Sequence, residues 1–78
     1  MKKLRLVTDG LSHDTVDAAK SLLEDAQAGK LIGLAVVGLY RRGEYIVNAA
    51  GACRSEPSLT IGPATMLIDQ LIMMERGR

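Results

Sequence analysis

Two β-rich apolar segments separated by a short charged break constrain this chain more than any other feature. Residues 31–40 read Leu-Ile-Gly-Leu-Ala-Val-Val-Gly-Leu-Tyr, and residues 45–53 read Tyr-Ile-Val-Asn-Ala-Ala-Gly-Ala-Cys. Between them stand Arg41, Arg42, Gly43 and Glu44. Two β-prone runs joined by a polar, glycine-containing break form an antiparallel hairpin. With Arg42-Gly43 as a two-residue turn, Arg41 opposes Glu44 and Tyr40 opposes Tyr45, both favourable cross-strand pairs. That register puts Tyr40, Tyr45, Val36, Val47, Leu34, Ala49, Ile32 and Cys53 on one face. The other face holds Leu39, Ile46, Val37, Asn48, Ala35, Ala50 and Ala52. A hairpin with one solvated face alternates apolar with polar residues. Here neither face is polar, so both need cover, and a second copy of the chain is the simplest cover for the face that the chain's own helices leave open.

The flanking segments read as helices. Ser12 or Asp14 can cap a helix by accepting from free first-turn amides, and Asp14 and Asp17 complement the positive end of its dipole. Val16, Ala19, Leu22, Leu23 and Ala26 recur at helical spacing, and Gly29 supplies a left-handed stop. After the hairpin, residues 54–62 read as a polar loop, with Pro63 at the first position of a second helix. That helix carries Ala64, Met66, Leu67, Ile68, Leu71, Ile72, Met73 and Met74, an apolar arc much wider than the ~100° stripe that packs on one neighbour. Residues 3–8 alternate weakly and fit a short N-terminal strand. The reading is a single α+β domain over residues 1–78, ordered helix, antiparallel β-hairpin, helix.

Size sharpens the need for a partner. The chain has 78 residues, no Phe, no Trp and two Tyr, so the side chains that bury the most area are nearly missing. Domains this small are marginal alone and are commonly stabilised by disulfides, metals or oligomerisation. One Cys and one His offer neither an internal disulfide nor a four-ligand zinc site. The expectation is therefore a homo-oligomer, at least a dimer, with no cofactor and no metal. The start Met1-Lys2-Lys3 is followed by Arg5 and Asp9, too charged for a secretory core, and the ten-residue apolar run falls short of the ~20 residues of a membrane span. The chain is read as cytoplasmic, with no membrane partner.

Few residues carry chemistry. His13 reads as a solvent-facing residue at the start of the first helix, and Cys53 as a small hydrophobe ending a strand; no orienting partner makes either a catalytic group. Gly33 and Gly38 mimic phosphate-loop spacing, but Leu39-Tyr40 replaces the required Lys and Ser/Thr. Arg41, Arg42, Lys2, Lys3, Arg5, Arg76 and Arg78 form no patch large enough to outweigh a net charge of +1. Without interleaved aromatics a nucleic-acid partner is disfavoured, with a β-ribbon in a groove as the residual form. The best candidate is a small-anion site: Arg54 with the hydroxyls of Ser55, Ser58 and Thr60, ahead of Gly62 and the helix start at Pro63, where free amides and the dipole favour negative charge.

Three stretches, Leu22-Leu23-Glu24-Asp25-Ala26, Ile32-Gly33-Leu34-Ala35 and Tyr45 through Gly51, resemble small uncharacterised proteins encoded by proteobacteria and their phages. The resemblance spans about two-thirds of the chain. It implies a phage or prophage setting, where compact non-enzymatic proteins sequester nucleotide signals or bind host proteins. Two functional expectations follow. One is a non-enzymatic homo-oligomer of counter-defence type that holds a small anionic, nucleotide-like ligand; the other is an interaction factor that docks on a host protein.

Overall fold

The computed structural model describes residues 10–77. The order is α1 (Thr15–Gln27), β1 (Gly33–Leu39), a short 3₁₀ turn (Arg41–Gly43), β2 (Tyr45–Gly51), α2 (Ala52–Ser55) and α3 (Pro57–Arg76). This is the expected α+β order of helix, antiparallel hairpin and helix, with one extra helical turn. The strand expected at residues 3–8 lies outside the described residues. The chain divides into two compact units after Ile32.

In the first unit, α1 is closed at both ends by its own sequence. Asp14 is the N-cap in extended backbone, and its Oδ2 accepts from the Asp17 amide at 3.1 Å. The Asp14 amide donates in turn to Ser12 Oγ at 3.0 Å. At the far end Gly29 takes φ +79°. The Gly29 amide donates to the Ala26 carbonyl and the Lys30 amide to the Asp25 carbonyl, the paired bonds of a Schellman stop. The apolar stripe has its expected composition, with Leu22 half-buried and Val16 and Leu23 exposed.

The second unit begins with the hairpin. Strands β1 and β2 pair antiparallel with Gly33 opposite Gly51, Val37 opposite Val47 and Leu39 opposite Tyr45. This corrects the expected register by one residue. The loop has three residues rather than two, and the Tyr40 amide donates to the Glu44 carbonyl at 2.8 Å to close it. Arg42 and Gly43 both sit at positive φ, 72° and 79°. The physical reason lies in the faces. Register is strongly specified when a slip exposes apolar residues and buries polar ones; with both faces apolar, slipping by one residue carries little such penalty, and the loop decides.

The slip re-sorts the side chains. One face, here the tyrosine face, now carries Ala35, Val37, Leu39, Tyr45, Val47 and Ala49, with Gly33 and Gly51 at its base. The opposite, asparagine face carries Leu34, Val36, Gly38, Ile46, Asn48 and Ala50. Leu39 and Tyr45 therefore share a face, as do Val37 and Val47.

The chain after the hairpin departs further from expectation. Cys53 does not end a strand; it lies in α2, half-buried. Gly51, at φ 61° and ψ −137°, makes the corner that turns β2 into this helical turn. A Cβ added to Gly33 would lie 2.5 Å from the Cys53 amide nitrogen and 3.0 Å from that of Ala52. So α2 folds over the base of the tyrosine face, and only glycine at position 33 lets it approach so closely.

The expected loop over residues 54–62 is helical except at Glu56, and α3 begins at Pro57, six residues ahead of Pro63. Pro57 takes the first-turn position assigned to Pro63, and Pro63 stands inside the helix. An interior proline lacks the amide for the bond four residues back, which costs about 3 kcal/mol. The turn ahead of Pro63 contacts α2. Leu59 and Thr60 are half-buried, and Thr60 Oγ1 donates to the Cys53 carbonyl at 3.4 Å. From Ile61 to Gly77 every residue of α3 and its cap is exposed. At about 1.5 Å per residue, this helix is about 30 Å long.

Candidate functional site

The expected anion-binding residues occupy two helices rather than one loop. Arg54, in α2, directs Nη1 to the Ala49 carbonyl at 3.4 Å, a long contact from an exposed side chain. Ser55 Oγ donates to the Ala52 carbonyl at 3.4 Å, one turn back. Thr60 Oγ1 donates to Cys53 as above, and Ser58 is exposed in the first turn of α3. Gly62 is interior to the helix, so its amide is not at the free N-terminus where the sequence reading had placed it.

The N-terminus of α3 instead follows Glu56, which holds the N-cap position without a side-chain capping bond, and the Leu59 amide already donates to the Glu56 carbonyl at 3.1 Å. A carboxylate there already complements the helix dipole and opposes a second anion through like charge. The arrangement thus leaves Arg54 and Ser58 as exposed groups beside a helix start, while Ser55 and Thr60 bond the backbone.

Other chemistry has less support. Among the described residues no group of three or more His, Cys, Asp or Glu side chains could hold a metal ion. His13 and Cys53 belong to different units. Among the described residues no helix is long and apolar enough to cross a membrane.

The most pronounced surface is apolar. No described residue is fully buried. Eighteen large apolar or tyrosyl side chains are at least 45% exposed, from Leu11 and Val16 through Leu39 and Tyr45 to Met74. They concentrate on the tip half of the tyrosine face and along α3. The sequence reading singled out the hairpin residues as needing cover but sorted them wrongly, because its register separated Leu39 from Tyr45 and Val37 from Val47, and it read Ile61 as part of a polar loop. No signal in the strands distinguishes the two registers, since Asn48 is their only strongly polar side chain. No protein-family model, curated protein or solved structure matches the chain.

Proposed function

We propose that this chain is a non-enzymatic homo-oligomeric binding module whose working surface is completed by self-association. One observation carries the reading: large apolar side chains line a hairpin face and a five-turn helix with no described residue fully buried. Exposed apolar patches beyond a few hundred Å² mark association sites in proteins of this kind. The exposed apolar side chains of the hairpin and α3 support a protein as the thing bound.

Capture of a small nucleotide-like anion is the second reading. Arg54 supports it, since its guanidinium is exposed and held by a single long contact. A counter-defence setting for either activity is part of the proposal and rests on the sequence resemblance alone. Native mass spectrometry of chain purified from cells tests both readings at once. The expected result is an oligomer, at least a dimer, and the anion reading further expects a retained ligand that Arg54→Ala releases. A monomer at micromolar concentration overturns the self-association reading; an oligomer that shows no mass or thermal shift across a nucleotide panel removes the anion.

A further inference from the structure

The hairpin sequence suits a second pairing besides the observed one. The observed register sets Tyr40 against Glu44 and Leu39 against Tyr45, so Tyr40 does not oppose Tyr45 and Arg41 does not oppose Glu44. Moving β2 by one residue opposes both pairs across a two-residue turn at Arg42-Gly43. Those two residues already hold the backbone such a turn needs: φ is positive at both, 72° and 79°, as type I′ requires. The move exchanges aromatic and aliphatic cross-strand pairs for others of similar kind, and it leaves both faces predominantly apolar. It also carries Tyr45, Val47 and Ala49 to the face of Leu34 and Val36, and Asn48 to the face of Val37 and Leu39.

The base of the hairpin distinguishes the two registers. Gly33 lies opposite Gly51, the corner from which α2 leaves at φ 61° and ψ −137°. Across that corner the amide nitrogens of Cys53 and Ala52 stand 2.5 and 3.0 Å from where a Cβ on residue 33 would lie. In the slipped register Gly51 lies opposite Leu34 instead. The same corner then lays α2 on a residue whose Cβ fills that space. Seated α2 is therefore compatible with one register only, so it backs the choice of the loop from the far end of the hairpin. The seat is tied onward to α3, because Thr60 Oγ1 donates to the Cys53 carbonyl at 3.4 Å.

We infer that α2 is the catch of a two-register hairpin. Seated on Gly33, it holds the observed pairing; when it lifts, β2 slips by one residue and the two faces are re-sorted. Whatever draws α2 away thereby changes which side chains the hairpin presents together, since a bistable element responds to any contact that favours one of its states. The inference is independent of the self-association reading, because it uses contacts within the second unit alone.

Paired cysteine substitutions read the register. Side chains at directly opposed, non-hydrogen-bonded positions lie close enough for a disulfide, whereas those pointing to opposite faces do not. In a Cys53→Ala background, Val37→Cys with Val47→Cys reports the observed register, and Val36→Cys with Ala49→Cys the slipped one. On oxidation with copper phenanthroline the first pair is expected to close about tenfold faster than the second, or more. Gly33→Ala, which unseats α2, is expected to reverse that order. Without the paired cysteines, the same reversal appears in nuclear Overhauser spectra as loss of the Val37–Val47 Hα contact and gain of the Tyr40–Tyr45 one. A Gly33→Ala chain that keeps the Val37–Val47 pairing overturns the proposal.

If Gly33→Ala abolishes the hairpin, the trapped forms decide. The Glu56 amide donates to the Ala52 carbonyl at 2.8 Å and so reports on α2. Its hydrogen exchange is expected to be about tenfold faster in the chain closed between positions 36 and 49 than in the chain closed between 37 and 47. Equal protection in the two forms overturns the proposal, as does failure of the 36–49 pair to close at all.

Discussion

The two long helices of this protein are specified in opposite ways. Helix α1 has an Asp14 cap at one end, a Gly29 stop at the other and a narrow stripe between them. Helix α3 has no side-chain cap, holds Gly62 and Pro63 in its interior, and is apolar around most of its circumference. Local chemistry is sufficient to bound α1. For α3 the start is set by contact with α2, which is itself seated on the glycine at the base of the hairpin. A helix can therefore be clear from its sequence or dependent on its neighbours, and one small protein contains both kinds.

Gly33→Ala gives the largest expected effect and tests that dependence directly. The added Cβ meets backbone atoms of α2 rather than a flexible side chain, so the strain is expected to destabilise the second unit by about 2 kcal/mol. Amide hydrogen exchange should speed up over residues 58–61 and stay unchanged in α1. If the first turn of α3 keeps its protection, α3 does not lean on α2 and the contrast between the helices fails.

Asp14→Ala probes the other side of the comparison. Loss of the N-cap is expected to cost about 1 kcal/mol, seen as faster exchange of the Asp17 amide and its neighbours with no change in α3. A response spread over both helices would show that α1 is not locally specified.

Gly62→Ala is the smallest effect and has the opposite sign. A Cβ there meets nothing within 4 Å and the backbone is helical, so alanine should stabilise α3 by about 0.7 kcal/mol through its higher helix propensity. Chemical denaturation measures it. A destabilised variant would overturn the propensity argument and give Gly62 a role that the described contacts do not show.

Much of the fold was legible. The capping of α1, its length and its stop follow from Asp14, the apolar spacing and Gly29, all interactions within a few residues. The existence of the hairpin follows from two β-rich runs and a charged break. Its register was not legible, because Val36, Val37, Leu39 and Ile46 leave neither face solvated and so give no penalty for slipping. The start of α3 was misplaced because Pro57 and Pro63 both suit a first turn, and nothing local chooses between them.

The candidate anion set shows the same boundary. Arg54, Ser55, Ser58 and Thr60 are adjacent in sequence and of suitable chemistry. Yet Ser55 and Thr60 donate to backbone carbonyls, and Glu56 rather than Gly62 stands at the helix start. Which hydroxyls remain for a ligand depends on where the helix begins, a tertiary outcome.

The amino-acid sequence by itself determined one capped helix, one hairpin and a surplus of apolar side chains, because caps, turns and periodicity act between near neighbours in the chain. Only the tertiary structure decided that Leu39, Tyr45, Val37 and Val47 share one face, and that α3 starts at Pro57. The first rests on a loop conformation that selects between two equally apolar registers. The second rests on a helical turn pressed against Gly33, a contact between residues about twenty apart in sequence that no local preference encodes.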